Sequence, residues 1–242
     1  MANPTAAILV IGDEILSGRT REGNAHFLAG AFFERGIDLR EIRVVADDHR
    51  AIVTAVNALR HTHDHVVTSG GIGPTHDDIT ADAIAAAFDV HIDVREDARA
   101  LLAARYTAMG AEFNAARLRM ARIPDGATLI DNPVSTAPGF SLGNVHVMAG
   151  VPDVFKAMVA SILPKLTGGI PLTTTSVRMA RPEGDVAASL SALADDYPDL
   201  SLGSYPFTFD GRAATVIVFR GEDPARVAAA VARWRAEWPD AA

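Results

Sequence analysis

Ser69-Gly70-Gly71-Ile72-Gly73-Pro74-Thr75-His76-Asp77-Asp78-Ile79-Thr80 follows the short β-branched run His65-Val66-Val67-Thr68 and precedes an apolar helical pattern that begins near Ala81. A glycine-rich turn between a strand and a helix leaves backbone N–H groups free to face an anion, and the helix dipole favours phosphate or sulfate there. Asp77 and Asp78 would repel that anion unless a cation lies between them. Hard divalent metals take oxygen ligands and bridge to phosphates in this way. The stretch reads as the strand–loop–helix unit of an α/β sheet, placed where a metal and a phosphorylated ligand meet.

Other readings of the loop fail on spacing. A Walker A loop needs a lysine that reaches the phosphates, and the only lysines are Lys156 and Lys165. Gly70-Gly71-Ile72-Gly73 lacks the dinucleotide spacing, and Ser69 is not in a nucleophile elbow. A tight turn with Asp78 or Thr80 as helix N-cap is compatible with function. A cap by itself does not explain three glycines, a proline and paired aspartates. Because Ser69 to Thr75 contains no Lys or Arg, an anion bound there is expected to lean on the metal.

The flanking sequence repeats the same unit. Ala6 to Ile11 is a continuous apolar run, as in a strand buried on both faces, and it ends in a turn at Gly12-Asp13-Glu14. Asn24 to Glu34 reads as a helix with Phe27, Leu28, Ala31 and Phe32 on one side and Gly36 just past its end. Asp38 to Val45 is a second strand closing in Asp47-Asp48, and Ile52, Val56 and Leu59 mark the next helix. Strand–helix three times over predicts a parallel sheet with right-handed crossovers. Ligands of such sheets sit beyond the carboxyl ends of the strands, where Glu14, Asp47, Asp48, Asp77 and Asp78 are all expected.

Further along, Ala98 to Met120 reads as helical. Its arginines (Arg99, Arg105, Arg117 and Arg119, with Arg122 just beyond) read as a solvated face, some of them available to an anionic ligand. Thr128 to Ile130 is a short strand, residues 131–139 a loop, and Phe140 to Leu142 pairs with Val145 to Met148 across Gly143-Asn144. A helix with Phe155, Met158 and Ile162 stops at Pro164. Thr167 to Pro171 is the candidate linker, dividing an α/β domain, 1–166, from a small α+β domain, 172–242. The second part reads βαββα, and its Trp234 and Trp238 fall at core spacing. His61, His63 and His65 alternate, which does not hold three rings on one point unless the segment is extended; His76 is the better functional histidine.

Composition narrows the function classes. The 242 residues are 49% hydrophobic and 21% charged, ordinary for a globular chain, with a net charge of −8 that argues against nucleic-acid and anionic-membrane surfaces. The absence of cysteine excludes thiolate zinc sites and cysteine nucleophiles. Residues 1–5 form no basic n-region and no stretch is long enough to span a bilayer, so a soluble cytoplasmic protein is expected.

Gly12-Asp13-Glu14-Ile15-Leu16-Ser17-Gly18, Asn24 and the loop from Gly70 to Thr80 together resemble the molybdopterin-binding (MoaB/MogA-type) domain family, in particular its CinA branch, the amino-terminal region of competence/damage-inducible proteins. Asn132, Ala137-Pro138-Gly139 and Gly150-Val151-Pro152 fit the later loops of that branch. Leu202-Gly203-Ser204-Tyr205-Pro206 resembles the corresponding half of eukaryotic FAD synthases.

The resemblance implies a three-layer α/β/α fold with a mostly parallel sheet, and a ligand site at Gly12, Asp13, Glu14, Ser17, Asn24, Ser69, Gly70, Gly71, Gly73, Pro74, Thr75, His76, Thr80, Asn132, Pro138 and Gly139. Asp47 and Asp78 match the two aspartates important in the adenylyl-transfer branch. The residue before the second, often arginine there, is Asp77 here, which favours the CinA-like branch. The deamidase domain of full CinA proteins and the adenylyl-transferase half of FAD synthases are both missing from the pattern.

Three functions share this pocket. The first is hydrolysis of an ADP-ribose- or FAD-like pyrophosphate, with Asp47, Asp78 and Asp77 catalytic and Asp47 and Asp78 holding Mg²⁺ or another divalent metal. The second is molybdopterin binding or adenylyl transfer in molybdenum-cofactor biosynthesis, and the third nucleotide sensing without turnover. The expected partners are a small nucleotide or pterin and further copies of the chain, as a dimer or trimer.

Overall fold

The computed structural model describes residues 2–239, and contacts divide the chain into two units, Met1–Gly169 and Ile170–Ala242. In the first unit β1 (Thr5–Ile11) leads to the one-turn helix α1 (Asp13–Leu16), where the sequence predicts a turn. Then follow α2 (Asn24–Glu34), β2 (Asp38–Val45), α3 (His49–Arg60), β3 (His65–Ser69) and α4 (Thr80–Phe88). Next come β4 (Ile92–Val94), α5 (Glu96–Ala108), α6 (Ala115–Leu118) and β5 (Arg122–Pro124). β6 (Thr128–Ile130), β7 (Gly139–Leu142), β8 (Val145–Met148) and α7 (Pro152–Ile162) complete the unit.

The sheet order is β2-β1-β3-β8-β7-β6. The first four strands are parallel, and β8-β7-β6 are antiparallel. Strand alternation sends Ala7, Leu9 and Ile11 to one face, against Ile52 and Val56 of α3, Ile84 of α4 and Leu102 of α5. Ala6, Ile8 and Val10 face the other way, against Leu28 and Phe32 of α2 and Phe155 and Met158 of α7. A central strand apolar on both faces therefore produces a three-layer α/β/α stack. Each fully buried side chain such as Phe155 contributes about 1.5–3 kcal/mol.

The continuous helix expected over Ala98 to Met120 is broken. Gly110 takes φ +63°, a left-handed turn that ends α5, and the chain resumes as α6 and a 3₁₀ turn at Arg119–Ala121. The break sets β5 antiparallel to β4, a pair too short to show in the sequence pattern.

The second unit runs β9 (Thr173–Met179), α8 (Glu183–Asp196), β10 (Ser201–Phe209), β11 (Arg212–Gly221) and α9 (Pro224–Glu237). Its antiparallel sheet is ordered β10-β11-β9. Asp210 and Gly211, both at positive φ, make the two-residue turn that joins β10 to β11. Trp234 is buried in the core with Phe219 and Val177, as its spacing predicts. Among the described residues no helix is long and apolar enough to cross a membrane.

Candidate functional site

A cleft of about 600 Å³ opens beyond the carboxyl ends of β1, β2, β3 and β8. Its floor is the glycine loop. Gly70 donates its N–H to the Met148 carbonyl, extending the ladder between β3 and β8 by one residue. The loop then leaves the sheet at φ +111° for Gly70 and +68° for Gly71, a left-handed course that favours glycine. Thr80, fully buried, holds it from behind by donating its hydroxyl to the Gly70 carbonyl and its N–H to that of Gly71, at 3.0 and 2.9 Å. The N–H groups of Gly71, Ile72 and Gly73 make no hydrogen bond among the described residues, so consecutive donors at the cleft await an acceptor.

Four carboxylates share the cleft with those amides: Glu14, Asp47, Asp77 and Asp78. Asp47 accepts the backbone N–H of Asp13 at 2.9 Å. Burial pushes its carboxyl above the usual range, and the neighbouring Asp13, Glu14 and Asp77 push the same way, outweighing the Asp13 bond. Asp78 accepts the Thr75 N–H at 2.8 Å and the Thr75 hydroxyl at 2.5 Å, both on Oδ2. It does not cap α4, and neither does Thr80. Ile79 holds the cap position with no side-chain bond, because Asp78 is committed to closing its own loop.

Hard oxygen donors that repel one another are the chemistry a divalent cation relieves, and the set fits one in that sense. Among the described residues no three His, Asp or Glu side chains gather tightly enough to hold an ion by themselves. An ion placed among them would have to complete its shell with water or ligand oxygens.

The residues picked out from the sequence fall into two groups. Gly12, Glu14, Asp47, Gly70, Gly71, Gly73, Asp77, Asp78, Asn132 and Pro138 line the cleft. Asp13, Ser17, Asn24, Ser69, Pro74, Thr75, His76, Thr80 and Gly139 do not. Several of the second group are scaffold. Buried Asn24 donates from Nδ2 to Ser69 Oγ and to the Gly150 carbonyl, both at 2.8 Å, and so ties the glycine loop to residues 149–152. Gly139 lies where a side chain would strike the Val147 carbonyl. Asn132, itself lining the cleft, binds the Ala137 carbonyl and Ser135 and accepts the N–H of Val134, shaping its own loop.

Three expectations need correction. His76 projects into solvent with its side chain 100% exposed, 4.0 Å from Asp77, because the loop tip carries no core face. Asp48 does not join the acidic group; it caps α3 by accepting the Ala51 N–H at 2.7 Å. The arginines are not a uniform solvated face: Arg99 pairs with Glu96 and Arg117 lies over Tyr106, whereas Arg122 forms a bidentate pair with Asp82 and Arg119 Nε is buried. The alternating histidines do not converge on a metal; His61, His63 and His65 each bond a backbone carbonyl.

The sequence reading missed Arg19 and Thr20, which follow α1 and line the cleft. Among the described residues Arg19 is the one basic side chain in its lining, so an anion there would have a cation of the protein's own. Met120 and Val154, also missed, line the cleft with Val151 and Pro152 of the later loop and make it apolar on their side. The position of Arg19, five residues after Glu14, was the available signal.

Residues 7–168 match the family described as "Probable molybdopterin binding domain". The chain belongs to this molybdopterin-binding domain family. Residues 171–242 match "FAD synthase, middle domain". The crystal structure of the protein CinA from Thermoplasma acidophilum superposes with a TM-score of 0.62 at 34% identity, over 67% of this chain and 97% of that one. A CinA-like protein of Citrifermentans bemidjiense is 36% identical over 67% of this chain and 40% of its own length. A "Probable FAD synthase" of Caenorhabditis elegans is 33% identical over 84% of this chain and 44% of its own. Proteins of Caldivirga maquilingensis and Metallosphaera sedula, 34 and 37% identical over 66% of this chain, are spanned over 64 and 62% of their own lengths. This molybdopterin-binding-domain protein is thus CinA-like in its first unit and FAD-synthase-like in its second.

Proposed function

We infer that this chain hydrolyses a nucleotide pyrophosphate, ADP-ribose- or FAD-like, with the help of Mg²⁺ or another divalent cation. The observation that carries the reading is the meeting in one cleft of the unbonded amides of Gly71, Ile72 and Gly73 with the carboxylates of Glu14, Asp47, Asp77 and Asp78. Amides recruit an anion and carboxylates repel it; a diphosphate accompanied by a hard cation satisfies both.

Asp47 and Asp78, supported by Asp77 or Glu14, would hold the ion. Bound there, it would supply stabilisation of charge on the phosphoryl oxygens. The chain's own groups do the rest. The loop amides orient the diphosphate, Arg19 adds charge, Asn24 keeps the two loops in register, and the wall of Met120, Val151 and Pro152 takes a flat ring. The family match and that apolar wall equally support a second reading, in which the ring is a pterin and nothing is hydrolysed.

The experiment is incubation of the full chain with ADP-ribose or FAD and Mg²⁺, following release of AMP, with EDTA as control. AMP formation that EDTA abolishes and that falls about 100-fold or more in Asp78→Asn supports hydrolysis. Nucleotide binding without AMP points to sensing, and tight pterin binding indifferent to EDTA points to the second reading. Sedimentation of the same sample tests the dimer or trimer.

A further inference from the structure

Both helices of the second unit pack on one side of its sheet. Val186 and Leu193 of α8 and Val227, Val231 and Trp234 of α9 join Val177, Met179, Ile217 and Phe219 of the strands in one core. Strand alternation turns Arg178 of β9, Tyr205, Phe207 and Phe209 of β10, and Arg212 and Arg220 of β11 to the other side. That side is open: Tyr205 and Phe209 are 50 and 57% exposed, and Arg178 and Arg212 are exposed with them.

The three strands contain no Asp or Glu, and these three arginines are their only charged residues. Among the described residues none of the three makes an ion pair. A net charge of −8 argues against a broad nucleic-acid surface, but this face is locally basic. Tyr205, Phe207 and Phe209 alternate along the edge strand β10, which sets them about 6.8 Å apart in a row on one face. A Cβ at Gly203 would stand 3.3 and 3.6 Å from Cε2 and Cζ of Tyr205, so the ring leans along the strand over Gly203 with half its surface open. A hollow of about 410 Å³ closes the row, lined by Phe209, Arg212, Ala180 and Ala214, with Asp210 at the turn.

We propose that this sheet face binds single-stranded nucleic acid, with successive bases stacked on Tyr205, Phe207 and Phe209 and the phosphates met by Arg178, Arg212 and Arg220. Every base has a π-face for a ring, and every phosphate a charge for a guanidinium. A second copy docked on the same face by a twofold axis would set arginines against arginines. An acidic protein segment would use the arginines and leave the row of rings without a role. The proposal is independent of the cleft in the first unit and of what is hydrolysed there.

The test is fluorescence anisotropy of the full chain with short labelled oligo(U) and oligo(dT), and with a duplex of the same length. Single strands should bind, the duplex at least tenfold more weakly, and affinity should fall as salt rises. Tyr205→Ala should lose about tenfold or more, whereas Tyr205→Phe keeps the ring and most of the affinity. Arg178→Gln should bind more weakly with a shallower salt dependence, at an unchanged thermal midpoint. A preference for oligo(U) or oligo(dT) supports the proposal and identifies the strand as RNA or DNA. No single-strand binding at low salt overturns it, as does binding that neither Tyr205→Ala nor Arg178→Gln weakens. Should Tyr205→Ala melt lower than wild type, Arg178→Gln, on a different strand, decides. Polyglutamate that displaces the label as well as unlabelled oligonucleotide overturns the proposal in favour of an acidic partner. A changed sedimenting species in Tyr205→Ala overturns it in favour of an interface between copies.

Discussion

The carboxylate of Asp47 accepts the backbone N–H of Asp13 at 2.9 Å, joining the segment after β2 to the one after β1 at the edge of the cleft. The bond survives in a place that works against it, because burial and the charges of Asp13, Glu14 and Asp77 raise the carboxyl above its usual range. A raised carboxyl is stabilising in its protonated form. That stabilisation is complete below the unfolded value of 3.8 and is lost as pH rises through the higher folded value.

At neutral pH, then, ionised Asp47 is held at a cost to the fold. Asp47→Asn keeps an oxygen for the Asp13 N–H and removes the charge. The variant should melt no lower than wild type at pH 7 while AMP release falls about 100-fold. A clear loss of stability at pH 7 would show that the charge supports the fold.

The loop backbone should tolerate no side chain at Gly70. A Cβ there would overlap the Ile11 carbonyl oxygen, a backbone atom of β1, in addition to the strain of φ +111°. Gly70→Ala should cost roughly 2–4 kcal/mol, read by chemical denaturation, and should abolish nucleotide binding in whatever remains folded. Wild-type stability in this variant would mean that the loop can take another path.

Acid should weaken the first unit through His146. The imidazole sits inside β8, its Nδ1 2.8 Å from Ser141 Oγ and its ring 5.9 Å from that of His65. Burial, and secondarily the charge of His65, lowers it from 6.5 to about 4. The unfolded chain therefore takes up this proton first, and stability is intact above 6.5 and lost as pH falls towards 4. The loss approaches about 3 kcal/mol by pH 4. His146→Gln should flatten that part of the pH profile, measured by amide hydrogen exchange in β8. An unchanged profile would assign acid sensitivity elsewhere.

A fragment ending at Gly169 should fold, and should be more stable than one ending at Leu166. The extra residues carry the Thr167 carbonyl, 3.0 Å from His65 Nε2, and the Gly169 N–H, which donates to the Arg35 carbonyl at 3.2 Å. Circular dichroism and limited proteolysis of the two fragments would decide it; equal stability would show these contacts to be idle.

Much of the architecture is legible in particular residues. Ala6 to Ile11 has no polar position, and only a strand between two helical layers can bury both its faces. Asn24 to Glu34 and Glu183 to Asp196 carry apolar residues at helical spacing and form helices with those bounds. The short pair β4 and β5 was not legible, because three residues are too few to show a period, and neither was the break at Gly110 inside a run of good helix formers.

The sequence by itself determined the strand-end positions of Glu14, Asp47, Asp77 and Asp78, since parallel strands in register bring their carboxyl ends to one edge whatever the loops do. It also determined that the glycine loop would present its amides, because only glycines can follow that backbone path. Tertiary structure alone decided which loop residues line the cleft and which hold the loop. Asn24 and Thr80 turn inward to satisfy carbonyls, His76 turns out to solvent, and Arg19 and Arg119 arrive from segments with no fixed spacing to the loop. Side-chain direction in a loop follows from which buried polar groups need partners, and that is settled only when distant segments meet.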